Sequence, residues 1–309
     1  MANFTAKDVQ ALREKTSVGM MECKKALVET DGDMDKAMDI LREKGLASAA
    51  KKAGRVAAEG VVVAYNDKAA KVGVLVEVNC ETDFVAKNAD FVAVAEAVAK
   101  TVADQNPADV DALSKMTLAG STQTVEEAIQ DLFLKIRENM KIRRFSRIEG
   151  NVETYIHGAG TVGVMVELNA DDAIVNNEAY SAMGKDVAMQ VAAMMPTYLD
   201  IAAVPADVVE KEKGILIAQM KEDPKMASKP EAVLGKIVEG KIAKFFKEVC
   251  LTEQVFVKDG DYSVAKYVAK IAKEIGSEVS LKGFTRFARG EGIEKKEENF
   301  AAEIASMMG

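Results

Sequence analysis

The sequence predicts an α+β protein: a small N-terminal three-helix domain, then two duplicated α+β subdomains with antiparallel sheets, the second interrupted by a helical hairpin, and finally a C-terminal helix. Three observations predict it. Apolar residues recur at helical spacing through residues 5–45. From Val61 the apolar period changes to two. The run Lys71-Val-Gly-Val-Leu-Val-Glu-Val-Asn79 then lines up with Thr161-Val-Gly-Val-Met-Val-Glu-Leu-Asn169. Each run follows a hairpin and precedes a helix, the sign of an internal duplication. The boundaries are 1–55 for the helical domain and linker, 56–150 and 151–290 for the subdomains, and 291–309 for the terminal helix.

In order, Thr5 caps a helix that buries Val9 and Leu12, and Ser17-Val18-Gly19 breaks it. A second helix carries Met20, Met21, Cys23, Ala26 and Leu27. A third sets Ala37, Ile40 and Leu41 on one face and is expected to stop at Gly45. Ala47 to Gly60 reads as a connecting segment. Val61–Tyr65 is a strand, Asn66-Asp67 a turn, and Lys71–Asn79 a strand with Val72, Val74, Val76 and Val78 on one face. A helix covers about Asp90 to Ala103. Thr124-x-x-Glu127 is a capping box for a helix burying Ile129, Leu132, Phe133 and Ile136. The basic run Lys141, Arg143, Arg144 and Arg147 is expected at the end of that helix, offsetting its dipole, in preference to an RNA-binding patch, and Phe145–Glu149 returns as a strand.

After the repeated run, two amphipathic segments between about 205 and 249 form an antiparallel hairpin, parted by Asp223-Pro224 and Ser228-Lys229-Pro230. A helix near Ser263–Ile271 and a strand from Glu278 to Arg289 resume the second subdomain. Gly290-Glu291-Gly292 ends the strand, and the tail carries Phe300 and Ile304 on one helical stripe.

The totals narrow the function classes. A chain of 309 residues exceeds one small core. A net charge of −8 argues against direct, broad nucleic-acid binding. No apolar run approaches the ~20 residues that cross a bilayer, and the first residues lack a signal-peptide pattern, so a cytoplasmic protein is expected. Cys23, Cys80 and Cys250 fall at no metal or disulfide spacing and read as buried thiols. His157 is the only histidine. It lies in a turn, Tyr155-Ile156-His157-Gly158, where a buried base is poorly placed. No phosphate-binding Gly-x-x-x-x-Gly-Lys-Ser/Thr loop exists. Neither a catalytic group, a metal ligand nor a cofactor is expected.

Two stretches resist a purely structural reading. The copies diverge at Glu81-Thr82-Asp83-Phe84-Val85, where the second has Asp171-Asp172-Ala173-Ile174-Val175. An acid beside a large aromatic just after a strand is either a wedge for another molecule or a ring folded back over the core. Met20-Met21, after a glycine turn, are core or an adaptable contact surface; residue chemistry alone favours core.

These residues resemble the bacterial elongation factor Ts family. Leu12-Arg13-x-x-Thr16, Gly19-Met20-Met21-Glu22-Cys23-Lys24-Lys25-Ala26-Leu27, Lys51-Lys52-Ala53-Gly54-Arg55, Glu77 through Ala86, His157-Gly158 and Gly290 through Lys295 carry the likeness almost from end to end. It implies a ubiquitin-associated-type fold for the first helices and guanine nucleotide exchange on elongation factor Tu. By that likeness Thr82, Asp83, Phe84 and Val85 approach the partner's GTPase domain. Phe84 is the wedge and Asp83 perturbs the Mg²⁺ side of the nucleotide. The likeness also implies that Arg13, Met20 and Met21 meet a helix of the same domain, which reverses the reading of the methionines as core. His157-Gly158 would face another domain, and Phe300 and Ile304 would dock on the GTPase. Arg137, Ser228 and Val255 depart from the family pattern, which usually has glycine, glycine and proline there. A homodimer through the hairpin is a further possibility. The competing readings are a scaffold that tethers partners without altering nucleotide release, and an enzyme built on His157.

Overall fold

A computed structural model describes residues 3–16, 18–223 and 230–294. Helices α1 (Ala6–Thr16), α2 (Met20–Glu29) and α3 (Met34–Lys52) close around Leu12, Cys23, Ala26, Leu27 and Ala37. Thr5 and Asp8 cap α1 reciprocally: the Thr5 N–H donates to Asp8 Oδ2 at 2.7 Å and Asp8 N–H returns to Thr5 Oγ1 at 3.4 Å.

One correction concerns α3, which does not stop at Gly45 but runs on to Lys52. A mid-helix glycine costs about 1 kcal/mol, yet here it lets α3 lie against a neighbouring helix. A Cβ at Gly45 would overlap Leu134, and an Arg42–Glu127 ion pair of 2.8 Å spans the same contact. Packing therefore overrides the stop signal, and the start of the expected linker is helical.

The first subdomain holds β1 (Glu59–Asp67), β2 (Val72–Cys80), α4 (Asp83–Ala86), α5 (Ala89–Gln105), α6 (Val110–Ser114), α7 (Val125–Ile136) and β3 (Lys141–Glu149). Its antiparallel sheet has the order β1-β2-β3. β1 continues through Asn66 and Asp67, moving the expected turn to residues 68–71. The Thr124–Glu127 capping box forms as read. The second subdomain holds β4 (Asn151–His157), β5 (Val162–Ala170), α8 (Glu178–Met194), α9 (Ala206–Glu222), α10 (Glu231–Val249), α11 (Val264–Ile275) and β6 (Val279–Ala288), with sheet order β4-β5-β6. Helices α9 and α10 form the inserted hairpin.

The duplication is visible in the register. Both central strands shift pairing at the same place, after Glu77 and after Glu167. Asn79 pairs with Lys141 and Asn169 with Ser280. Helices α7 and α11 each begin at a hydroxyl cap (Thr124, Ser263) and end in a left-handed residue, Arg137 at φ 66° and Gly276 at φ 70°. Arg137 thus takes, at some conformational cost, the backbone that glycine adopts freely.

Each sheet buries both faces. Val72, Val74, Val76 and Val78 face α5 and α7, as the alternation implied. The opposite faces of the two sheets meet around Val62, Leu75, Val152, Met165 and Phe287. The glycine shared by the two runs permits this seam. A Cβ on Gly73 would come within 2.6 Å of Val152 and 2.9 Å of Met165, and one on Gly163 would overlap Val62. The layers are therefore helices, sheet, sheet, helices.

The basic run is a second correction. Arg137 ends α7, so Lys141, Arg143, Arg144 and Arg147 lie on β3 rather than at a helix end. Arg143 (3.0 Å) and Arg144 (2.7 Å) pair with buried Glu77. Gly290 N–H also donates to Glu77 at 2.7 Å, and Arg144 reaches Glu291. Burial opposes ionisation of Glu77, but the bonds from Gly290, Asn79, Arg143 and Arg144 outweigh it and hold its pKa below the ordinary carboxylate value. Gly290-Glu291-Gly292 is thereby latched to the first subdomain. All three cysteines are buried free thiols, as read.

Candidate functional site

Strand β2 delivers the chain to Thr82, and a small network fixes the turn that follows. Thr82 caps α4, its Oγ1 accepting from Val85 N–H at 3.3 Å. The Glu138 carboxylate grips the turn from behind, accepting from Glu81 N–H (3.1 Å), Thr82 N–H (3.0 Å) and the Thr82 hydroxyl (2.7 Å). Glu81 in return accepts from Asn139 N–H at 2.6 Å and pairs with Arg55 at 3.2 Å. The Cys80 thiol donates to Thr82 O at 3.1 Å. Burial, reinforced by the Glu138 charge, pushes that thiol up to about 12, so it stays protonated and serves as a donor.

On this base α4 divides its residues. Val85 and Ala86 are buried in the first subdomain's core, whereas Phe84 is 82% exposed. A four-residue helix with two anchors on one side and a hydroxyl cap has little freedom to turn its ring inward. Asp83 is half-buried and paired with Lys87 at 2.6 Å, one turn on. That hydrogen bond lowers the Asp83 pKa, so the acid is ionised beside the ring.

The second copy shows what the same turn does without the aromatic. Asp171 caps a single turn over Asp172–Ile174, and Ile174 and Val175 pack onto the second core. Asp172 is drawn to Lys71 of the first subdomain at 2.5 Å.

The structure brings a second sequence-derived site close to the first. His157 ends β4 and is exposed; it shares a 2.9 Å hydrogen bond between Nδ1 and the Tyr155 hydroxyl. Gly160 and Thr161 N–H groups close the turn onto His157 O. Ala86 and Lys87 on one side, and Ile156 and Ala159 on the other, border one cleft of about 480 Å³. Val62 N–H donates across its floor to Gly160 O at 2.8 Å. Arg13, Met20 (41% exposed) and Met21 (63% exposed) present a separate surface on the helical domain. Both methionines are exposed, contrary to the reading from residue chemistry alone. Phe300 and Ile304 lie outside the described residues.

A family model described as Elongation factor TS matches residues 81–291. The elongation factor Ts of Clostridium perfringens is 51% identical over 309 residues, covering 99% of each chain. The chain belongs to the elongation factor Ts family. That of Clostridium novyi is 48% identical over 308 residues, covering 98% of each chain. That of Syntrophotalea carbinolica is 49% identical over 307 residues, covering 98% of this chain and 99% of its own. The family match includes the Thr82–Val85 turn, its Glu138 clamp and the His157 turn.

Sequence reasoning missed the clamp. Glu138, Asn139 and Arg55 are distant from Thr82 in the chain and of ordinary residue types. The only local hint was that Glu138-Asn139 directly follows the end of α7.

Proposed function

We propose that this protein is a guanine nucleotide exchange factor for elongation factor Tu in translation elongation, acting in the cytoplasm. It binds the GDP form, promotes loss of Mg²⁺ and GDP through Thr82–Val85, and stays on the nucleotide-free partner until GTP binds. Phe84 carries the reading: a large ring held outward on a turn clamped from behind can enter a partner without rearranging its own support. Family membership supports the same reading.

Exchange makes and breaks no bond of the nucleotide, so the protein acts as a binding partner and not as an enzyme. Factor and GDP each weaken the other's hold on the GTPase, and linkage makes that coupling reciprocal. Every tenfold gain in release needs about 1.4 kcal/mol. Burying one Phe supplies about 1.5–3 kcal/mol, one to two decades. Any larger gain draws on the remaining contacts: Arg13, Met20 and Met21, the turn at His157 and Gly158, and the segment bearing Phe300 and Ile304. Asp83, ionised beside the ring, is suited to disturb the partner's Mg²⁺ coordination; it exchanges an exposed ion pair with Lys87 for that contact at little cost. Ile215, Ile217 and Val233 stay exposed on the inserted hairpin, and we assign this surface to self-association. A single monomeric species in sedimentation velocity would refute the assignment.

Release of a fluorescent GDP from elongation factor Tu, with and without this protein, tests the reading. Acceleration is expected. Tight binding with unchanged release would make the protein a scaffold and end the proposal.

A further inference from the structure

The duplication leaves one corner of the second subdomain without an occupant that its counterpart has. In the first subdomain, the corner where α7 ends, β3 begins and β2 leaves the sheet is crossed by the protein's own chain. Lys52 Nζ donates to Arg137 O at 2.5 Å. Asn139 Nδ2 donates to Arg55 O at 2.8 Å and to Ala53 O at 3.3 Å. Arg55 pairs with Glu81 at 3.2 Å. A turn at the end of α3, closed by Arg55 N–H on Lys52 O at 2.9 Å and carrying a lysine and an arginine three residues apart, is thus held by a helix-terminal carbonyl, an amide side chain and a carboxylate.

The registers given above carry these positions onto the second subdomain. Arg137, four residues before Lys141, matches Gly276, four before Ser280; Asn139 matches Glu278. Glu81, two residues after Asn79, matches Asp171, two after Asn169. Asp171, Ala272, Lys273, Gly276, Glu278 and Ser280 line an open groove of about 1070 Å³. Gly276, Glu278 and Asp171 are exposed, and among the described residues no segment crosses them. The reason lies in the chain path. Gly60 and Gly150 occupy matching places, so residues 53–55 of the first copy correspond to 143–145 of the second. Those residues belong to β3, where Arg143 and Arg144 serve Glu77.

We propose that this groove binds a basic turn of a partner protein, with Lys and Arg three residues apart as in Lys52 and Arg55. Its charge fits. Asp171 and Glu278 supply two carboxylates at the positions where the first copy has Glu81 and the amide of Asn139, and the last carbonyls of α11 add the negative end of a helix dipole. Lys273 on the wall opposes a cation, and Asp171 Oδ1 already accepts from Ala173 N–H at 2.8 Å, so the groove selects two cations at set places over general positive charge. The site is separate from the Phe84 turn and does not depend on exchange activity.

The probe is a synthetic peptide of the protein's own Lys51–Ala57, end-blocked and titrated into the ¹⁵N-labelled full chain. Saturable amide shifts are expected at residues 169–171 and 276–280. A peptide carrying Lys52→Glu and Arg55→Glu should produce none. The exposed double variant Asp171→Asn/Glu278→Gln should bind the native peptide about three- to tenfold more weakly, because two exposed charge pairs are lost. No shifts in the groove, equal shifts from the acidic peptide, or shifts only at Glu81 and Asn139 would each overturn the proposal.

Discussion

Replacing Phe84 by alanine should separate folding from function, and the second repeat supplies the control. Phe84 is 82% exposed, so deleting its ring should change folding stability by no more than about 0.5 kcal/mol. Against a partner the same ring would be buried, and losing about 1.5–3 kcal/mol there slows nucleotide release by one to two decades. Ile174, at the matching place, packs on the second core. Ile174→Ala should cost about 1–2 kcal/mol of stability, less than a fully buried site, and leave release unchanged at temperatures where the variant is folded. Stopped-flow release of labelled GDP from elongation factor Tu reads the first effect, and urea unfolding reads the second. A Phe84→Ala protein that unfolds early but exchanges normally would refute the reasoning, because the ring would then belong to the core.

Three further outcomes are expected. Gly73→Ala forces a methyl into the seam between the sheets and should destabilise by about 1–3 kcal/mol in urea unfolding. Arg137→Gly should stabilise by about 0.5 kcal/mol, since relief of a left-handed backbone cost of about 1 kcal/mol is partly offset by greater freedom of the unfolded chain. Glu77 has a depressed folded pKa, so its stabilisation is fully present above its unfolded value of about 4.3 and is lost as pH falls through the folded value. Glu77→Gln should therefore lower the urea midpoint at neutral pH and flatten its decline on acidification.

Much of the fold was legible because periodicity records burial. The valine alternation in β2, the Thr124–Glu127 box and the repeat each described a local cause with a local effect. The failures came where distant packing decided. Gly45 signals an end in sequence, but Leu134, far along the chain, needs the missing side chain there. The basic run looked like a helix end because nothing nearby showed that Arg137 would turn left-handed or that Glu77 waited across the sheet. At the candidate site the exposed ring was readable only as one of two alternatives. Its support was not readable, since Glu138 and Arg55 are chemically ordinary and meet Thr82 and Glu81 only after folding.

The bare faces of Gly73 and Gly163 also set a mechanical property. Val152 and Met165 fill the space over Gly73, and Val62 and Leu75 that over Gly163, so the sheets cannot slide or splay without opening a void. The turns bearing Phe84 and His157 therefore behave like the jaws of a locked calliper. A molecule gripped by both must do the bending itself.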